Sequence, residues 1–177
     1  MKLKLIAVGG KAPDWVTAGF QDYARRIPEP ARPVLLEVPA ADRKGWPVDR
    51  VLTDEAARLL ARVSDHDHVV ALAVAGRTCS TEALAEKLDD WRMQGVDVSF
   101  LIGGADGLDR RCLERSDEAL SLSALTFPHM LVRVMLAELR RPGHHAVLRG
   151  DRADRPSRRA AGPAADRRLR HLPNPLG

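Results

Sequence analysis

The stretch FLIGGADGLDRR, residues 100–111, contains the signal that decides the fold. Its first three residues are typical of the end of a buried strand, and Gly103 and Gly104 follow at once. Glycine occurs where the backbone needs a positive φ or where another group must approach it closely. In open parallel sheets, ligands bind beyond the carboxyl ends of the strands. The stretch therefore predicts a strand followed by a glycine turn, which either contacts a ligand or simply reverses the chain.

Apolar, β-branched runs alternate with helical segments along the rest of the chain. Each run is short, bounded by turn residues and apolar on both faces, as buried parallel strands are. The predicted strands are residues 3–8, 33–38, 68–74 and 98–104, and the predicted helices are residues 12–27, 48–63, 81–94, 109–118 and a last helix that begins near Pro128. This alternation predicts an α/β fold in which helices sandwich a parallel sheet.

Chain length and cysteine content narrow the classes of protein to which this chain can belong. The 177 residues are enough for one domain with a real core. Cys79 and Cys112 are far apart and belong to no CxxC motif, and no run is long enough for a signal peptide or a membrane span. We expect a cytoplasmic protein with free thiols and no membrane partner.

The positive charge is concentrated in one segment. Residues 139–177 contain ten Arg and three Asp, a net charge of +7, so residues 1–138 account for −3 of the whole chain's +4. The segment has no aromatic residue and no Lys. Because such a composition buries little apolar surface, we predict a folded domain over residues 1–144 and disorder over 145–177.

Three further motifs have a structural and a functional interpretation. Gly76 follows the third strand as Gly103 follows the fourth, so both turns are expected at one crevice or are ordinary turns. His129 and Arg133 are four residues apart on one helical face, where Arg133 is a ligand contact or a solvated ion-pair partner. The HDH motif at 66–68 has no third ligand nearby, and we predict no metal there.

Three segments together carry a resemblance to a known family. They are MKLKLIAVGGKAPDWVTAGFQDYARRIP at 1–28, LIGGADGL at 101–108 and SLSALTFPHMLVRVMLAE at 121–138. Over residues 1–138 the chain resembles the RlmH family of SPOUT-class methyltransferases, which act on N3 of a pseudouridine in 23S ribosomal RNA. The resemblance implies a carboxyl-terminal trefoil knot, a homodimer, S-adenosylmethionine (SAM) as cofactor and the assembled ribosome as substrate.

The resemblance also implies roles for individual residues. His129 is expected to accept or orient the proton of the base, Arg133 to stabilise charge or hold RNA, and Glu138 is a weaker catalytic candidate. The residues expected to bind SAM, largely through their backbone, are Leu72, Gly103, Gly104, Ser123, Ala124, Leu125, Thr126, Phe127 and Pro128.

After Glu138 the resemblance ends, because Pro142 interrupts the last helix and the family's aromatic residues are missing. Arg, Ala, Pro and Gly are what GC-rich codons give in any frame, so our hypothesis is that residues 139–177 are a frameshifted tail that impairs dimerisation and catalysis.

Two other functions remain open. One is a non-catalytic ribosome-binding or RNA-binding protein that uses the basic tail, and the other is a nucleotide-dependent oxidoreductase. The missing GxGxxG motif and ribose-binding acid argue against the oxidoreductase.

Overall fold

The structure, a computed structural model, describes residues 1–10, 12–123, 125 and 127–138. Strands and helices alternate along the described part of the chain. The strands are β1 Leu3–Val8, β2 Pro33–Val38, β3 His68–Thr78, β4 Val98–Ile102 and β5 Glu118–Ser121. The helices are α1 Asp14–Ala24, α2 Val48–Leu60, α3 Thr81–Gln94, α4 Arg110–Arg115 and α5 His129–Glu138.

The five strands form one sheet in the order β2-β1-β4-β3-β5, and every pair of neighbours is parallel. Leu3 at the start of β1 pairs with Pro33 on one side and Val98 on the other. Because all five strands run in the same direction, their carboxyl ends lie along one edge. The prediction of a parallel sheet is confirmed.

Helices cover both faces of this sheet. Alternate residues of β1 point to opposite sides, so that Leu5 packs with Phe20 of α1 and Leu88 of α3, while Ile6 packs with Leu59 of α2. Helix α5 joins the face of α1 and α3, and α4 joins the face of α2. The predicted three layers are therefore confirmed.

Local sequence signals account for the ends of α3. The Ser80 hydroxyl oxygen accepts a hydrogen bond from the Ala83 N–H at 3.1 Å and so caps the N-terminus of the helix. Gly95 ends the helix with φ of 73°, a left-handed conformation that glycine adopts at little cost. Trp91 is buried on the sheet-facing side of the helix.

Two of the predicted strands, β2 and β3, differ from their predictions, and β5 was not predicted, since its first residue, Glu118, was expected to end a helix. β2 lies at the edge of the sheet, so it is not buried on both faces, and its Val34 is 51% exposed. β3 does not end at residue 74 but continues to Thr78. Leu72 and Arg77 are both aligned with Leu120, so residues 73–76 bulge out of the pairing with β5. An apolar run alone does not reveal either feature.

Some expectations are not settled by this fold. The boundary at residue 144, the disorder of 145–177 and the frameshift hypothesis lie outside the described residues. The trefoil knot stays a prediction. In the part of the chain that the structure describes, no helix has the length and apolar character needed to cross a bilayer.

Candidate functional site

A pocket of about 730 Å³ opens at the carboxyl ends of β3, β4 and β5. Three segments contribute its walls, namely the bulge of β3, the turn after β4 and the segment between β5 and α5. The lining residues are Leu72, Ala73, Val74, Ala75, Ile102, Gly103, Gly104, Ala105, Asp106, Gly107, Leu108, Leu120, Ser121, Leu122, Ser123, Leu125, Phe127, Pro128, His129 and Val132. The pocket therefore lies where open parallel sheets bind ligands.

The glycine turn after β4 folds back on itself. Gly104 and Gly107 form an antiparallel bridge, and the Gly107 N–H donates to the Gly104 carbonyl oxygen at 3.2 Å. A Cβ at Gly103 would lie 2.2 Å from the Gly107 carbonyl oxygen, and Gly107 itself has φ of +86°. The group that approaches Gly103 is thus the chain's own backbone, and the turn that results forms one wall of the pocket.

The bulge of β3 supplies a second wall. Residues 73–75 leave the ladder with β5 and line the pocket. Gly76 brings the chain back, and a Cβ there would lie 2.5 Å from the Leu120 carbonyl carbon. The expectation that the strand ends before Gly76 is wrong, although the neighbouring residues do form the crevice with the turn at Gly103.

The resemblance named nine residues for SAM, and seven of them lie together around this pocket. They are Leu72, Gly103, Gly104, Ser123, Leu125, Phe127 and Pro128. Ala124 and Thr126 lie outside the described residues. Sequence reasoning thus found the pocket walls, and the binding of SAM to them stays a prediction.

Two serine hydroxyls shape the segment before α5. The Ser121 hydroxyl donates to the Ser123 carbonyl oxygen at 2.9 Å, and the Leu125 N–H donates to the Ser123 hydroxyl oxygen at 2.9 Å. These local bonds form a compact loop in which Leu125 remains 72% exposed at the mouth of the pocket.

His129, the first residue of α5, lines the pocket and is only partly exposed. Burial lowers the pKa of its imidazole, the positive charges of Arg133 and Arg43 lower it further, and the negative charge of Glu55 opposes them. The imidazole is therefore neutral near pH 7, which leaves a ring nitrogen able to accept a proton.

Arg133 is fully buried and does not line the pocket. Its Nη1 donates to Glu37 Oε1 at 2.5 Å and its Nη2 donates to the Val8 carbonyl oxygen at 2.9 Å. The interpretation of Arg133 as a solvated ion-pair partner is wrong, because its side chain is fully buried. The charge-stabilising or RNA-binding role stays a prediction, as does the role of Glu138, which ends α5 away from the pocket lining.

Sequence reasoning missed a carboxylate beside the site. Glu55 of α2 is only 2% exposed, and its Oε1 accepts the Ala41 N–H at 3.2 Å. Its position contains a signal, since Val51, Glu55 and Leu59 follow each other at intervals of four on the buried face of α2. An acidic residue within an apolar stripe indicates a specific partner.

The remaining features of the sequence are the HDH motif and the two cysteines. The His68 Nε2 lies 3.5 Å from Glu118 Oε1, and its ring packs on Trp91 with centroids 4.8 Å apart. Among the described residues, no group of three His, Cys, Asp or Glu side chains is placed to hold a metal ion. Cys79 and Cys112 are free, and burial raises the pKa of the Cys112 thiol to about 11.

Comparison with known proteins identifies relatives for most of the chain. The profile of a family described as "Predicted SPOUT methyltransferase" matches residues 1–139. The chain is 48% identical over 139 residues to "Ribosomal RNA large subunit methyltransferase H" of Saccharophagus degradans, which covers 78% of this chain and 90% of that protein. It is 45% identical, with the same coverage, to the protein of that name from Marinomonas sp..

The matched range contains every strand and helix that the structure describes, together with the glycine turn and His129. The resemblance seen in the three sequence segments is thereby confirmed over the same part of the chain. The chain therefore belongs to the SPOUT methyltransferase family, in the branch that includes these methyltransferase H proteins.

Proposed function

We propose that this protein is a SAM-dependent methyltransferase that modifies N3 of a pseudouridine in 23S ribosomal RNA. Its relatives carry the name of a large-subunit ribosomal RNA methyltransferase. The observation that carries the proposal is the pocket in which the glycine turn, the bulge of β3 and His129 come together. The assembled ribosome in the cytoplasm is the proposed substrate, because a body with a net charge of −3 offers little surface to select one base in free RNA.

The pocket fits SAM in size and character. Its volume of about 730 Å³ lies in the range of small-molecule sites, and apolar residues such as Leu72, Ile102 and Phe127 make up much of its wall. Gly103 and Gly104 bring backbone groups to the wall without a side chain between them and the ligand. When bound, SAM supplies a methyl group activated by its sulfonium sulfur.

His129 is proposed to take the proton that N3 of pseudouridine carries at neutral pH. General bases work best when their pKa is close to the working pH and the acceptor nitrogen is unprotonated. Burial lowers the pKa of His129 and so keeps its imidazole neutral near pH 7, and the residue lies in the wall of the pocket. Alignment of the nucleophile with the methyl group of SAM is expected to supply much of the rate enhancement.

We further propose that two chains form a two-fold dimer and that the carboxyl-terminal part of each is knotted. The mouth of the pocket supports the dimer, since Val74 is 78% exposed and Leu125 is 72% exposed there. Apolar side chains of this size at the rim of a ligand site are typical of surfaces that a second molecule covers.

The test is methyl transfer from labelled SAM to ribosomes that lack the modification, followed by mapping of the labelled base. We expect label on one pseudouridine of 23S ribosomal RNA, and none on ribosomes that already carry the methyl group. Binding to ribosomes that is abolished by salt, without any transfer from the folded protein, would instead establish the non-catalytic alternative.

A further inference from the structure

We propose that Glu55 is a positioning residue of this site. Its buried carboxylate fixes the loop that follows β2 against the glycine turn that follows β4, and it supplies the negative charge that offsets two guanidinium groups near His129. This inference rests on the proposed function of the pocket.

The first support is the burial of the carboxylate. Glu55 lies on α2 with only 2% of its surface exposed, and its Oε1 accepts the Ala41 N–H at 3.2 Å. Its Oε2 is buried and has no hydrogen-bond partner among the described residues. Buried polar atoms are nearly always paired, so an unpaired carboxylate oxygen is a costly arrangement that requires a reason.

The second support is the close contact of that oxygen with the glycine turn. A Cβ at Gly104 would lie 2.8 Å from Glu55 Oε2 and 3.2 Å from a Val8 methyl carbon. Gly104 also lines the pocket. The unpaired oxygen therefore lies directly behind the pocket wall, in the space that a larger residue at 104 would need.

The third support is an ion-pair chain that ends in the same turn. Arg43, in the loop after β2, has its Nη2 4.0 Å from Glu55 Oε1 and its Nη1 2.7 Å from Asp106 Oδ2. Asp106 lines the pocket between Gly104 and Gly107. Glu55 and Asp106 thus hold Arg43 from two sides, and Arg43 ties the loop to the turn.

The fourth support is the balance of charge near His129. The groups that act on its imidazole come from three elements, namely Arg133 on α5, Arg43 in the loop after β2 and Glu55 on α2. Arg133 is itself paired with Glu37 of β2. Without Glu55, the imidazole would be left near two guanidinium groups, and protonation of His129 would become harder.

The experiment is an NMR titration of His129 in the full chain, with the Glu55→Gln variant compared with the parent protein. His129 is assigned from the resonance that disappears in His129→Gln. We expect the pKa of His129 to fall in Glu55→Gln, because a group of opposite charge is lost. An unchanged pKa would overturn the proposal.

A second variant, Arg43→Met, tests the charge argument even if Glu55→Gln disrupts the fold. Arg43→Met removes a positive charge from the same cluster, so the pKa of His129 is expected to rise in it. If Glu55→Gln and Arg43→Met shift the pKa in the same direction, the charge argument is wrong. Glu114→Gln, which changes an exposed helix residue paired with Arg110, is the matched control and should leave His129 unchanged.

A failure of the proposed role of Glu55 can be distinguished from a failure of the proposed function. If the parent protein transfers no methyl group, the proposed function fails while the titration still reports on Glu55. If the parent is active, Glu55→Gln should lower kcat by a few-fold with an unchanged KM for ribosomes, since a less basic His129 accepts the proton less readily. A raised KM with unchanged kcat would contradict the positioning role.

Discussion

The Arg133 Nη2 donates a hydrogen bond to the Val8 carbonyl oxygen at 2.9 Å, across 125 positions of the chain. This bond joins α5 to Val8, the last residue of β1. The guanidinium also crowds Gly9, because a Cβ at that glycine would lie 2.5 Å from Nη2. Helix α5 is thus attached by a buried charge to β1, which lies between β2 and β4 in the sheet.

Replacement of Arg133 by Met should therefore destabilise the fold. The change removes the donor to the Val8 carbonyl and the partner of Glu37, whose side chain is 35% exposed, so the expected cost is about 1–3 kcal/mol, below that of a fully buried pair. Urea unfolding measures the loss. The matched control is Arg110→Met, whose ion pair with Glu114 is exposed and should cost less than about 0.5 kcal/mol.

A second substitution, Arg133→Lys, distinguishes a purely structural role of Arg133 from a role in charge stabilisation or RNA binding. If Arg133 acts only through packing, Arg133→Lys should recover part of the lost stability, since the ammonium group can still reach one acceptor. If Arg133→Lys keeps full stability but loses methyl transfer, the result would instead support the predicted role in charge stabilisation or RNA binding.

The rate of methyl transfer should depend on pH through His129. Its pKa in the folded protein lies below the usual 6.5, because burial and two guanidinium groups disfavour the imidazolium. The acid limb of the kcat profile is therefore expected below pH 6.5. His129→Gln should lower kcat by about 10²-fold to 10⁴-fold and remove this limb. A limb that persists in His129→Gln would assign the proton to another group.

Much of this site follows from the sequence because glycine and proline act locally. The turn at Gly103 and Gly104, the start of α5 after Pro128 and the cap at Ser80 each depend on residues within a few positions. The alternating apolar runs likewise predict a parallel sheet between layers of helices, but they predict neither the order of the strands nor the presence of β5. These signals need no knowledge of distant contacts.

Other features depend on contacts that only the folded chain creates. The bulge of β3 arises where Leu72 and Arg77 align with the same residue of β5, and nothing in an apolar run records that register. In the sequence, Arg133 is recognisable only as a residue four positions after His129. In the fold, its partners come from β1 and β2. Glu55 was detectable only as an acid within the buried stripe of α2.

Alanine at Gly103 should disrupt the pocket, whereas alanine at Gly10 should not. A Cβ at Gly103 meets backbone atoms of Gly107 and Leu108 that cannot rotate away, while a Cβ at Gly10 meets no described atom within 4 Å. Overpacking of this kind typically costs about 1–3 kcal/mol. Calorimetric titration with SAM should show weakened binding for Gly103→Ala alone. Equal binding by both variants would mean that the turn does not shape the cofactor site.

Asp67 provides a stability test at the opposite edge of the sheet, near the amino ends of the strands. Its Oδ2 accepts hydrogen bonds from Lys4 Nζ at 2.6 Å, Ser99 Oγ at 2.6 Å and the Ser64 N–H at 3.1 Å. Burial alone would raise the pKa of this carboxyl, but the bonds from Lys4, Ser99 and Ser64 outweigh it and lower the pKa below 3.8.

A carboxyl whose pKa is lower in the folded state contributes stability that is present above pH 3.8 and is lost as the pH falls through the folded pKa. Asp67→Asn should therefore cost about 3 kcal/mol at pH 7, because Lys4 loses its counterion. The difference from the parent protein should shrink as urea unfolding is repeated at decreasing pH. The control Asp89→Asn removes only an exposed ion pair with Arg92 and should match the parent at every pH. A difference for Asp67→Asn that stays constant between pH 7 and pH 2 would show that packing, and not the charge of Asp67, stabilises this edge.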